Sequence, residues 1–170
     1  MPPVHGPRVA IIDKAAGALP PVPFVAVARD QTVSPRKIDD AGRILQHQRD
    51  RPLPYHFLAY WAMPNWVKAL QKYAANQTMA NQALLACALE RYRLSHGEYP
   101  QSLSDLVPQL VDKLPHDLIG GGGLKYRRTG ATQFILYSIG WNERDDGGIP
   151  GKTIADGDWV WGQSAQAATR

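Results

Sequence analysis

The strongest constraint on the fold is a long helix that ends abruptly within residues 88–100. Apolar residues recur there at helical spacing and predict one buried stripe: Leu84, Leu85, Ala88, Leu89 and Tyr92. Gly97 favours the left-handed conformation that ends helices, and Pro100 cannot continue a helix. We therefore expect the chain to reverse direction just after His96.

The same helix is predicted to begin near Asn65, which is a suitable capping residue after Pro64. From Asn65 to about His96 it would be roughly 48 Å long at a rise of ~1.5 Å per residue. That length exceeds a small domain, so we expect the N-terminal half, Asn65 to Met79, to project or to pack on another chain. The partners predicted on this basis are other proteins, or a second copy, bound through residues 65–80.

The residues after the helix predict a small antiparallel sheet. Ser102 to Val111 reads as a short helix capped by Ser102, with Asp105 at its third position. Two strands, Leu124–Arg128 and Gln133–Ile139, are joined by a turn at 129–132, which is a hairpin signal. A third strand is expected at 158–161. The predicted fold class is α+β, with the long helix packed on the small sheet.

The first third of the chain differs from the rest, because it holds most of the 14 prolines. Such a composition favours extended, poorly packed chain. We predict a Pro-rich arm or linker of marginal structure over 1–63, an α+β domain over 64–162 and a disordered tail over 163–170. Within the arm, Phe24–Ala28 is a candidate strand and Ile38–Arg49 a candidate helix.

Composition excludes several classes of protein. The chain has 170 residues, 44% of them hydrophobic and 20% charged, with a net charge of +4, which is ordinary for a globular domain. Basic residues do not cluster with aromatic ones as nucleic-acid binding requires, and no apolar run is long enough to span a bilayer. No signal peptide is expected. Cys87 is the only cysteine and is expected to be a small buried helix residue.

The order of several motifs resembles a known family. The helix exit Tyr92–Pro100, the pair Ser102-Leu103, the Pro115-His116-Asp117 element and the glycine-rich acidic loop after the hairpin are similar to the globular head of major pseudopilins of type II secretion. They are more similar still to uncharacterised bacterial proteins that carry the same module. The resemblance implies a non-enzymatic assembly role in the periplasm or cell envelope. The basic leader and apolar anchor helix of pseudopilins are not found in this sequence.

The acidic loop is the candidate functional site. Calcium prefers six to eight oxygen ligands on a flexible loop, and the resemblance implies a structural calcium here. The candidate ligands are Ser138, Asn142, Asp145, Asp146, Asp156 and Asp158. Asn142 replaces an aspartate of the family pattern, and Gly157 separates its acidic pair. Two alternatives stay open: the Asp side chains cap turns, or Arg144 or Lys152 closes the loop by ion pairs.

An alternative function rests on the tryptophans that flank this loop, Trp141, Trp159 and Trp161. Aromatic rings beside carboxylates can bind sugars, which would make the chain a carbohydrate- or peptide-binding module, but such tryptophans more often close the end of a small sheet. Asp117 is expected to order the turn before Gly120–Gly123. No Ser/His/Asp set, Cys/His pair or paired-carboxylate cleft is evident, so we expect the chain not to be an enzyme and to need no other cofactor.

Overall fold

The computed structural model describes residues 32–49 and 66–162. Within them lie two α-helices, a short 3-10 helix and a three-stranded sheet. The elements are α1 (Pro35–Arg49), α2 (Trp66–His96), the 3-10 helix (Leu103–Leu106), β1 (Lys125–Gly130), β2 (Gln133–Ser138) and β3 (Trp159–Val160). The α+β class is therefore confirmed. Neither helix in the described ranges combines the length and hydropathy needed to cross a membrane.

The long helix predicted from Asn65 to about His96 is observed as α2, which begins at Trp66. Its end follows from local chemistry: Gly97 has a φ of 82°, and its N–H donates to the carbonyl of Arg93 at 2.7 Å. This is the left-handed helix stop that glycine favours. The ring of His96 stacks on Tyr92 with centroids 4.0 Å apart, so the last turn stays ordered.

The sheet is antiparallel with the order β1-β2-β3. Arg127 of β1 faces Ile135 of β2, and Tyr137 of β2 faces Val160 of β3. The predicted hairpin is present, but β1 continues to Gly130, with an irregular register between Arg128 and Gly130. The turn is consequently tighter than the four residues predicted from the sequence.

The main core joins the C-terminal half of α2 to the sheet. Leu85 and Leu89 of α2 and Leu136 of β2 are almost fully buried in one cluster with Leu106. Leu84 and Cys87, which were predicted to be buried, are exposed instead, because they lie on the side of α2 that faces away from this core. Each such side chain stabilises the fold by about 1.5–3 kcal/mol relative to an exposed one. The rings of Tyr99 and Phe134 meet edge to face at a centroid distance of 4.8 Å. The reversal after Gly97 thus returns the chain onto its own helix.

A second core covers the N-terminal half of α2. Buried Ala74 packs in one cluster with Val33 and Ile38 from the first described segment and with Trp141. Trp66, Val67 and Leu70 of α2 pack against this cluster. The prediction that Asn65 to Met79 projects from the domain is therefore wrong. One face of this half is covered by α1 and by the loop after β2.

Of the arm predicted over 1–63, the structure describes 32–49, and these residues are packed. The helix predicted from Ile38 begins at Pro35 instead, since the first position of a helix accepts proline. The N–H of Val33 donates to the carbonyl of Leu118 at 2.7 Å. The rest of the arm, including the candidate strand Phe24–Ala28, and the tail at 163–170 lie outside the described residues.

The short helix predicted from Ser102 to Val111 is a single 3-10 turn, Leu103–Leu106. Its predicted cap is present: Ser102 accepts from the N–H of Ser104, and the carboxylate of Asp105 accepts from the N–H of Ser102. Val107 is extended, because a residue that precedes a proline disfavours the helical conformation. Pro108 therefore ends this helical turn before Val107, whereas the apolar pattern predicted an end at Val111.

Candidate functional site: the acidic loop

The acidic loop leaves β2 after Ser138 and returns to β3 at Trp159. Its path depends on Gly140 and Gly157, which have φ of 67° and 65°. A Cβ on Gly140 would lie 2.2 Å from the carbonyl oxygen of Gly157, a distance that no side chain allows. The backbones at the two ends of the loop are therefore in direct contact, and this contact closes the loop that carries the acidic side chains.

Asp158 organises the interior of the loop. It is only 2% exposed, and its two oxygens accept from the N–H of Gly148 at 2.6 Å and of Asp146 at 3.3 Å. The carboxylate of Asp146 in turn accepts from the amide of Asn142 at 3.0 Å. Asn142, Asp146 and Asp158 therefore form one connected group. Because Asp158 is buried and bonded to backbone, its role is to fix the loop.

Asp145 lies in a separate group beside the sheet. It accepts from the Tyr137 hydroxyl and from the N–H of Gly147, both at 3.0 Å, and Lys125 is 3.8 Å away. The bond from Gly147, followed by the one from Tyr137, lowers the pKa of Asp145. Burial, reinforced by this carboxylate, raises the pKa of Tyr137. The pair therefore favours an ionised Asp145 and a protonated Tyr137.

Ser138 faces away from the loop and toward Asp117. The Ser138 hydroxyl is fully buried and donates to Asp117 at 2.8 Å. Asp117 also accepts from the N–H groups of Ile119 at 3.0 Å and Ile139 at 3.2 Å. Burial raises the pKa of Asp117 more than these three bonds lower it. Asp117 therefore ties the 116–123 turn to the end of β2.

Asp156 closes a turn of its own, because its carboxylate accepts from the Thr153 hydroxyl at 2.7 Å. The six predicted ligands are thus divided among four local groups, and three of them, Asn142, Asp146 and Asp158, share one. In this arrangement backbone and side-chain donors hold most of the carboxylates, whereas a calcium shell needs six to eight oxygens. Among the described residues, no group of three or more His, Cys, Asp or Glu side chains is placed to hold a metal.

The loop forms ion pairs with residues that the sequence did not indicate. Arg36 of α1 contacts Glu143 at 2.5 Å, and Lys125 approaches Asp145. Within 32–49 and 66–162, the recorded ion pairs of this loop do not include Arg144 or Lys152, the two residues predicted to close it. The Arg36 side chain is 81% exposed, so the pair contributes about 0–1 kcal/mol.

The tryptophans beside the loop are used for packing. The Trp141 indole is 3% exposed, and its N–H donates to Asp39 of α1 at 3.1 Å. Trp159 donates to the carbonyl of Ile154 at 3.0 Å, and Trp161 packs on the main core. This arrangement favours the interpretation that they close the end of the sheet, and it offers no flat exposed ring pair for a sugar.

Sequence reasoning missed two anchors of the site, Asp39 and Tyr137, and found only part of the role of Asp117. Asp117 orders its turn as predicted, since its N–H donates to the carbonyl of Gly122 at 2.7 Å. Its bonds to β2 had no local signal. Tyr137 alternates with Leu136 in an apolar strand, which gave no indication that its hydroxyl reaches Asp145.

No family model matches this chain, and no match was found among curated proteins or among solved structures.

Proposed function

We propose that this chain is a non-enzymatic assembly module, similar to the head of major pseudopilins, that acts through protein contacts. The order of long helix, short helix, hairpin, acidic loop and last strand is the order that the resemblance implies. The carboxylates of the acidic loop are largely engaged in holding the chain together. We place the contact surface on α2, because several large apolar side chains are exposed there.

The observation that carries this proposal is the exposure of large apolar side chains on α2. Tyr73 and Leu84 are each 51% exposed and Leu94 is 72% exposed. Burying a side chain of this kind contributes about 1.5–3 kcal/mol. Large apolar side chains exposed along a helix are typical of a surface that a partner covers.

The test compares the native particle size of wild type and Leu84→Glu in cells that express the chain at its normal level. Wild type is expected in particles larger than a monomer, and Leu84→Glu is expected as a monomer. Met79→Glu is the matched control, because Met79 is 46% exposed on the same helix but points away from Leu84. A wild-type monomer, or a Leu84→Glu chain of unchanged size, would refute the proposal.

Structural calcium is a second, narrower proposal, limited to the group formed by Asn142, Asp146 and Asp158. What supports it is that the three side chains are neighbours: the Asn142 amide N–H₂ donates to the Asp146 carboxylate, and the Asp158 carboxylate accepts from the N–H of Asp146. A ligand that binds only the folded state stabilises it by about 2.7 kcal/mol at 100 times its dissociation constant. Thermal melting in millimolar calcium against a chelator tests this, with Asp146→Asn as the variant that should lose the shift. An identical midpoint in both buffers rules calcium out.

A further inference from the structure

Strand β1 has a free outer edge. The carbonyl of Leu136 in β2 accepts from the N–H of Trp161 at 2.8 Å, so the backbone groups of Leu136 face β3. Its partner in β1 is Tyr126. Because bonded and non-bonded pairs alternate along an antiparallel ladder, the N–H and C=O groups of Tyr126, and of Arg128 two residues later, point away from β2. Within the described part of the chain, no backbone–backbone bond outside the sheet involves Tyr126 or Arg128.

An apolar groove lies beside the beginning of this edge. Its volume is about 290 Å³, and its apolar lining comes from Leu103, Leu114, Pro115, Leu124 and Tyr126. The other described residues that line it are uncharged as well. Because burying a charge without a partner is costly, the groove suits an uncharged apolar segment.

The sequence offers such a segment close by. Phe24–Ala28, the strand predicted in the arm, lies outside the described residues and carries no charge. A strand is stable in water only when its backbone groups pair with those of other strands. The segment therefore needs an edge to pair with, and β1 provides the longest free edge of the described sheet.

The position of Thr32 brings this segment within reach of the groove. A Cβ on Gly121 would lie 2.8 Å from the Cγ2 of Thr32, and Gly121 is two residues before Gly123, which lines the groove. From Thr32 back to Ala28 an extended chain spans up to about 13 Å at ~3.3 Å per residue. Because the C-terminal end of the segment is held near the start of β1, the segment would run antiparallel to β1.

We infer that Phe24–Ala28 adds to the outer edge of β1 as an antiparallel strand of the same chain, with apolar side chains in the groove. The backbone groups of Tyr126 and Arg128 then gain partners. An edge that is covered in this way no longer accepts strands of other proteins. The inference goes beyond the proposed function and does not depend on it, because it concerns the sheet and not α2.

Amide hydrogen exchange of the full chain, resolved by residue, tests this pairing. In wild type the N–H groups of Tyr126 and Arg128 should exchange slowly. Ala26→Pro combined with Val27→Pro removes two consecutive N–H groups, so one of them is lost from the ladder in either register. Exchange at Tyr126 and Arg128 should then become at least tenfold faster.

Two controls accompany the double proline variant. The N–H groups of Lys125 and Arg127 point toward β2, so their exchange should stay within twofold of wild type and report that the sheet is folded. Ala15→Pro combined with Ala16→Pro makes the same change elsewhere in the arm and should leave the outer edge protected.

Three results would overturn the inference. Fast exchange at Tyr126 in wild type would mean that the edge is open and that the exposed charges of Lys125 and Arg127 alone discourage pairing there. Slow exchange that the double proline variant does not change would mean that Phe24–Ala28 is not what covers the edge. Protection that disappears on tenfold dilution would mean that a second copy, and not the same chain, covers it.

Discussion

Asp117 gives the sharpest test of how the loop region is held, because one buried carboxylate accepts three hydrogen bonds. It is 2% exposed and accepts from the N–H groups of Ile119 and Ile139 and from the Ser138 hydroxyl. Asp117→Ala removes all three bonds and leaves the buried N–H of Ile119, the part-buried N–H of Ile139 and the buried Ser138 hydroxyl without this acceptor. Each unpaired buried donor costs about 1–3 kcal/mol, so we expect a loss of about 2–5 kcal/mol in the free energy of unfolding.

Asp117→Asn separates hydrogen bonding from charge. The amide oxygen keeps the bonds from Ile119 and Ser138, while the new NH₂ group meets the N–H of Ile139, donor against donor. Loss of the buried charge offsets part of that cost, since burial raises the pKa of Asp117 and thus disfavours the ionised form. We expect a smaller loss than for alanine, about 1–3 kcal/mol.

The assay is urea unfolding of the full chain followed by tryptophan fluorescence and circular dichroism. With a slope of about 2 kcal/mol per molar urea, the middle of the usual range, Asp117→Ala should lower the midpoint by roughly 1–2.5 M. Asp112→Ala is the matched control, because Asp112 is an exposed aspartate only five residues away. If Asp117→Ala unfolds within about 0.5 kcal/mol of Asp112→Ala, the scale of an ordinary surface change, the carboxylate does not hold the turn to β2.

Three further predictions use local contacts. Gly140→Ala should lower the free energy of unfolding, measured in urea, by at least about 2 kcal/mol more than Gly97→Ala does. Both glycines have a positive φ, which costs a side chain about 1–2 kcal/mol. Only at Gly140 would the new Cβ also meet backbone, at 2.2 Å. Arg93, then Tyr99, lowers the pKa of Glu90 from 4.5 to about 2. The ionised carboxylate therefore contributes stability above pH 4.5 that is lost as the pH falls toward 2. Glu90→Gln should consequently make the melting temperature less dependent on pH between 4.5 and 2. The buried hydroxyl of Thr78 has no hydrogen-bond partner, so Thr78→Val should raise the unfolding free energy, by about 1 kcal/mol; a decrease would show that the hydroxyl is bonded.

The fold was predictable where a short segment carries its own signal. The exit of α2 follows from Gly97, and the capping box follows from Ser102 and Asp105. The packing of α1 was not predictable, because its apolar stripe is thin and its contacts are remote in sequence. Val33 is hydrogen-bonded to Leu118, and Asp39 accepts from Trp141. Such pairs are set by tertiary structure, which no local pattern encodes.

The candidate site was predictable as an acidic loop but not as a hydrogen-bonding unit. An aspartate has the same two oxygens whether it binds a cation or a backbone N–H. The outcome at Asp158 depends on whether the N–H groups of Asp146 and Gly148 turn inward, as they do here. That orientation follows from positive φ angles at Gly147 and Gly148, which the presence of glycine permits but does not dictate.

The way α2 is attached to the rest of the domain explains why Leu84 is exposed on it. In its middle, Gln82 donates to the carbonyl of Trp159 at 2.6 Å and Asn81 donates to that of His116 at 3.4 Å. These polar bonds and the buried Leu85 together fix this part of the helix, so the fold does not need Leu84 in its core. A change at Leu84 should consequently alter assembly while leaving the urea midpoint of the monomer in place, whereas a change at Gln82 should do the reverse. These opposite effects on assembly and on the urea midpoint distinguish a residue that binds a partner from one that stabilises the fold.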